Sequence, residues 1–329
     1  MKKFFLLISF AFLYFASIQA DFVKAPVVTY TFSGGRFGDN LIAYMHAKWV
    51  SYHCGIKLLY KPFPYSEQLV LHTQEEQFTE ENQNKYKKIV FLGDGASVNK
   101  NRNEKYPVFY ILPYFPESAH ERKHGISGSG GKWAYYSVNW EDPGFKAELQ
   151  KLICPRVPLA KIFLPKDCLT VAIHLRIGGV DHTDEVKRAF PLKFPQEQFY
   201  MDQLERIYKL FKEYPLYIYL FTDDPQPLFI KERFQKKFQG KKIQFECRTS
   251  TNNDKLNVLE DFFSFMQFDC FIHSESNYAV CVSKIHDFIV DIEPKDMKWE
   301  NGRAVITEVH TKVRPELFPK ALKAHLKMP

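Results

Sequence analysis

Short apolar runs alternate with amphipathic stretches along most of this chain. The clearest run is Leu169–Leu175 (LTVAIHL), which reads as a buried parallel strand, apolar on both faces, ending in Arg176 and a Gly178-Gly179 pair. Similar runs predict strands at Val27–Phe32, Ile56–Tyr60, Ile89–Leu92, Val108–Leu112, Leu216–Phe221, Ile243–Glu246, Cys270–Ile272 and Phe288–Ile292. Helical spacing predicts helices at Leu41–Cys54, Phe145–Ile153, Gln196–Tyr214, Pro227–Phe238, Asn257–Phe268 and Tyr278–Ile285. A closing helix, Lys312–Lys327, would cross back to the first half. Strand–helix alternation across both halves predicts an α/β fold of two doubly wound, Rossmann-like domains facing across a cleft. The proline-bearing stretch Pro155–Asp167 is the expected linker. The domains are expected at 21–165 and 166–310, with 311–329 as the closing segment.

The N-terminus reads differently. Lys2-Lys3 precede the apolar run Phe4–Phe15, followed by Ala16-Ser17-Ile18-Gln19-Ala20. That order is a secretory signal peptide over residues 1–20, predicting export to a periplasm, the medium or a secretory lumen. A spanning helix needs about 20 apolar residues, so a type II signal-anchor is the alternative, and no membrane span is expected in the mature chain. Six cysteines fit an exported protein with up to three disulfides, in unassigned pairing. Cys270 and Cys281, in apolar surroundings, read as buried thiols.

Composition excludes little. The chain is 45% hydrophobic and 25% charged, ordinary for a folded protein. Its formal charge of +7, or +7 − 2 = +5 without Lys2 and Lys3, is dispersed. Lys236-Lys237 and Lys241-Lys242 read as a solvated helix end, which argues against nucleic acid as a partner. No Cys or His cluster has metal-ligand spacing.

Polar residues gather where strands should end: Arg36 with Asp39-Asn40, His174 with Arg176, Thr222 with Asp223-Asp224, and Ser274 with Ser276-Asn277. In open α/β sheets that carboxyl edge is where ligands bind. Ser33-Gly34-Gly35-Arg36-Phe37-Gly38-Asp39-Asn40 lies between a strand and a helix, an arrangement suited to phosphate. Arginine forks neutralise a leaving phosphate, and hydroxyls and helix N–H groups hold its oxygens. Simpler roles compete: Asp39 as a helix cap, Asp223-Asp224 as a cap or a cation site, and His174 as a core residue.

His174-Leu175-Arg176-Ile177-Gly178 resembles the H-x-R-(R/I)-G motif of the fucosyltransferase superfamily that uses GDP-fucose. Ile177 follows the variant of the protein O-fucosyltransferases, where α1,2-fucosyltransferases carry a second arginine. Gly35-Arg36-Phe37-Gly38-Asp39-Asn40 is similar to the family's GRFGNQ loop. Asp261–Asn277 (DFFSFMQFDCFIHSESN) resembles its late D-x-x-x-M-x-x-C segment. The resemblance implies a GT-B fold, inverting fucosyl transfer from GDP-fucose to a glycan or protein hydroxyl, and no cofactor or obligatory metal. It assigns the β-phosphate to Arg176, further phosphate contacts to Ser276 and Asn277, and nucleotide support to His174 and to Asp223 or Asp224, with Ser274 and Gly178 also among the substrate-binding residues. It brings the loop of Gly35, Arg36, Phe37, Gly38 and Asn40 close to sugar and acceptor. Two residues depart from the pattern: Asp39 stands where the family has Asn, and Glu275 sits inside the phosphate turn. Asp39 has the chemistry of a general base. The alternative is a catalytically inactive glycan- or nucleotide-binding relative.

Overall fold

The structure, a computed structural model, describes residues 25–92, 98, 106–115, 138–177, 183–212, 214–249, 252 and 255–318. The expected leader, Gly178 and the chain beyond 318 lie outside these residues. Among the described residues, no helix is long and apolar enough to cross a membrane.

Two sheets carry the fold. The first is built from β1 (Val27–Tyr30), β2 (Lys57–Tyr60), β3 (Glu76–Gln77), β4 (Lys88–Phe91) and β5 (Val108–Leu112). Its order is β3-β2-β1-β5-β4, and all its pairings are parallel. Helix α1 (Phe37–Cys54) buries Leu41, Ile42, Tyr44 and Met45 and stops at Gly55, whose φ of 64° a side chain would disfavour. Short helices α2 (Leu71–Gln74) and α3 (Glu80–Asn84) follow, then α4 (Pro143–Leu152), which has Asp142 as its N-cap.

The second sheet contains β6 (Leu169–Leu175), β7 (Leu216–Thr222), β8 (Ile243–Cys247), β9 (Cys270–His273), β10 (Val290–Glu300) and β11 (Arg303–Val313), in the order β11-β10-β9-β6-β7-β8. Only β10–β11 is antiparallel. Helices α5 (Asp184–Ala189), α6 (Glu197–Leu210), α7 (Pro227–Lys237), α8 (Val258–Phe265) and α9 (Asn277–Ile285) complete it. The expected α/β arrangement of two largely parallel sheets with a cleft between the halves is present.

Strand parity decides what the cleft receives. In β6, Leu169, Val171, Ile173 and Leu175 enter the core beneath α6 and α7, whereas Ala172 joins the core shared with the first half. In β7, Leu216, Ile218 and Leu220 take the former side; Tyr217 and Phe221 take the latter. With a side-chain period of two, His174, Arg176 and Asp223 therefore fall on the face toward the first sheet. The shared core means that the halves meet through apolar packing, with α1 against α9.

The structure corrects several expectations. α1 starts at Phe37, so half of the expected glycine-rich loop is the first helical turn. Residues 312–313, expected in a closing helix, end β11, and Pro315–Leu317 forms one 3-10 turn. The pairing of β11 with β10 explains this, since it satisfies the backbone through Val313. All six cysteines are free, and Cys270 and Cys281 are buried as expected.

Candidate functional site

Each sheet has a switch point where the strand order reverses, between the parallel neighbours β1 and β5 and between β6 and β9. Ligands bind outside the carboxyl ends of such strands. A cavity of about 370 Å³ opens there, lined from both halves. Of the expected site residues, Gly35, Arg36, Phe37, Gly38, Asp39, His174, Arg176, Asp223 and Asn277 line it.

The first-half contribution comes from the start of α1. Arg36 is the N-cap, and its backbone N–H donates to Asp39 Oδ2 (3.0 Å). Asn40 turns away and donates its amide to the Gly35 carbonyl (3.3 Å). Gly38 is required by proximity: a Cβ there would stand 2.4 Å from the Tyr278 nitrogen at the start of α9. Across this approach, Asn277 Nδ2 donates to Asp39 Oδ1 (2.7 Å) and to the Tyr114 hydroxyl (2.9 Å). A polar clasp thus joins the halves at the rear of the cavity.

The second half supplies the charge. The Arg176 guanidinium lies 5.2 Å from the centre of the Phe194 ring, and its buried Nε has no hydrogen-bond partner among the described residues. Burial, with the Arg36 guanidinium nearby, lowers Arg176 to about 10, against the opposing pull of Asp223 and Asp39. Lys193 and Lys255 also line the cavity. Four cations, Arg36, Arg176, Lys193 and Lys255, line the cavity beside three acids, Asp39, Asp223 and Asp261, a mixed lining that can accommodate part of the charge of a polyanionic ligand. Burial and the cationic Arg176 bring His174 down to about 3, so its imidazole is neutral, set among Phe265 and Tyr278.

The paired acids part company, as strand parity requires. Asp223 accepts from the Ile177 N–H (2.9 Å) and faces the cavity. Asp224 accepts from the Gln226 N–H (2.7 Å) and caps the turn into α7, away from the cavity. Ser274 and Ser276 do not line the cavity either. Both are fully buried, and Ser276 caps α9 through the Ala279 N–H. Glu275 is buried outside the cavity lining, its N–H donating to the Leu192 carbonyl. Gly178 lies outside the described residues.

Sequence reasoning missed the apolar side of the cavity, formed by Tyr65, Phe221, Phe265 and Tyr278, and the acid on its floor, Asp261. Burial raises Asp261 to about 6, although it pairs with Arg248. Tyr65 belongs to the first half, yet its hydroxyl donates to the Lys255 carbonyl of the second (3.0 Å). Its φ of 69° is unusual for an aromatic residue and marks stored strain at the cavity.

No protein-family model and no curated protein matches this chain. Among solved structures, it is similar to POFUT1 in complex with GDP-fucose at 12% identity, covering 81% of this chain and 95% of that one, with a TM-score of 0.41. A second crystal form of that complex gives 12% identity, coverage of 80% and 95%, and a TM-score of 0.42. The apo form gives 11% identity, coverage of 79% and 94%, and a TM-score of 0.40.

Proposed function

We propose that the chain is a glycosyltransferase that binds GDP-fucose in the interdomain cleft and transfers fucose, with inversion, to a hydroxyl of a glycan or protein. The observation that carries this reading is Arg176, a buried guanidinium with a free Nε at the switch point, facing a cavity rich in cations. A nucleoside diphosphate would accept from that Nε. Departure of GDP concentrates charge on the β-phosphate, and a preorganised arginine stabilises that charge most as the bond breaks. The N–H groups at the start of α9 would add their dipole, and the aromatic side of the cavity would take the base and sugar.

Asp39 fits the role of general base. Each of its oxygens accepts one protein hydrogen bond and retains a lone pair for an acceptor hydroxyl. Export through the N-terminal leader belongs to the same reading and places the reaction outside the cytoplasm. No metal and no cofactor are assigned to the reaction. The same two hydrogen bonds also suit a binding protein that never turns over, with Asp39 as part of the clasp alone. Release of GDP from GDP-fucose, followed with pooled glycan and protein acceptors, separates the two. Acceptor-dependent release that Arg176→Ala abolishes supports the transferase. Tight GDP-fucose binding without release under any acceptor supports the binding protein.

A further inference from the structure

The β10–β11 ribbon pairs with β9 only at Val290–Ile292 and then projects past the sheet to its Asn301-Gly302 turn. A two-stranded ribbon alone is marginally stable in water, so the neighbours of its apolar face matter. The register pairs Trp299 with Ala304 and Met297 with Ile306, which puts all four on one face. That face borders a groove of about 280 Å³ whose opposite wall is Pro191, Phe194 and Pro195. Lys187, Arg188 and Arg303 line the groove against a single acid, Asp184. Among the described residues, neither Lys187 nor Arg303 forms an ion pair. Phe194 links the two sites, since Arg176 of the cavity stacks on the ring that walls the groove.

We propose that this groove binds an anionic saccharide chain, one bearing carboxylate or sulfate, as the acceptor side of the cleft. The proposal rests on the transferase reading for the word acceptor, but not for binding. A sugar ring presents an apolar C–H face and a polar rim. Trp299, 49% exposed and facing two prolines, offers the matching flat apolar surface. Three cations against one acid select negative charge on the sugar. Continuity through Phe194 carries the chain toward Arg176, where the donor's anomeric carbon would lie.

The test is titration of the full chain, without nucleotide, with uronate-bearing and sulfated hexasaccharides, read by tryptophan fluorescence and calorimetry. Neutral maltohexaose is the control. The expected result is saturable binding that Trp299→Ala weakens at least about tenfold, while Trp299→Phe stays within about threefold. The Lys187→Ala/Arg303→Ala double variant should flatten the salt dependence. Binding that Trp299→Ala leaves intact would be diffuse electrostatics and overturns the proposal. Equal affinity for maltohexaose, or preference for an acidic peptide, also overturns it. GDP binding without saccharide binding removes the groove alone; saccharide binding without GDP binding removes the transferase reading and leaves the groove.

Discussion

Gly38→Ala tests how the two halves are joined. In an open helix, alanine is favoured over glycine by about 1 kcal/mol, so the change would ordinarily stabilise the chain. At this position the new Cβ would lie 2.4 Å from the Tyr278 nitrogen, 2.6 Å from its Cα and 2.9 Å from the Asn277 carbonyl carbon. These are backbone atoms of a helix start held by the Ser276 cap, so relief requires α9 to move as a body. Overpacking of a well-filled site costs about 1–3 kcal/mol, and an immovable neighbour favours the upper end. Set against the propensity gain, the expected net loss is about 2 kcal/mol. With an unfolding entropy of about 2.1 cal/mol/K per residue, each kcal/mol shifts the Tm of a chain of this size by about 1.5 °C, so scanning calorimetry should record a fall of about 3 °C. Displacing α9 also displaces Asn277, so GDP affinity should fall by about tenfold. An unchanged or higher Tm with unchanged GDP affinity would refute the close approach of the helices.

Three further outcomes follow. Asp39→Asn should lower turnover by about 10²–10⁴-fold and leave GDP affinity within a few-fold; unchanged turnover in an acceptor assay removes the base role. Behind the turn after β9, buried His273 bonds Asp291 Oδ1 (3.2 Å) and the Ser274 carbonyl (2.8 Å). Burial pulls this imidazole down, but Asp291, Glu293 and the carbonyl together hold it above its ordinary value. Burial likewise pushes Asp291 up, yet His273, Ser283 and Lys284 hold it below the usual carboxylate value. A raised histidine stabilises fully below about pH 6.5 and loses that contribution as pH rises through its folded value, while a depressed aspartate loses its own as pH falls. The stability gap between wild type and His273→Gln, read by urea unfolding, should therefore be widest between about pH 4 and 6.5 and narrow above; a constant gap contradicts the ion pair. Finally, alkylation in denaturant without reductant should label all six cysteines, whereas any protected pair would contradict their free state.

Much of the fold was legible because the strands are buried on both faces. The runs Leu169–Leu175 and Val108–Leu112 match β6 and β5 end to end. The ribbon was not legible as a strand pair, because outside the sheet it has no continuous apolar run, only charged residues such as Lys295, Asp296, Lys298 and Glu300. Its one local signal is Asn301-Gly302, both at positive φ, a turn dipeptide typical of hairpins. The start of α1 was hidden because two glycines suggest a loop, whereas Gly38 is present for helix–helix contact. Strand parity from Leu169 and Leu216 already separates Asp223 from Asp224, so that distinction was available in the sequence. Tyr65 and Lys255 come from irregular segments and reach the cavity only through long-range packing, which no local pattern encodes.

The central claim is that Arg176 holds the diphosphate of a nucleotide sugar. Calorimetry of GDP and GDP-fucose with the leaderless protein, alongside a folded Arg176→Ala variant, tests it most directly. The account predicts micromolar binding of both ligands, weakened at least about 100-fold in the variant as a charge-assisted contact is lost. Absence of binding to the folded wild type, or equal affinity in the variant, would contradict it.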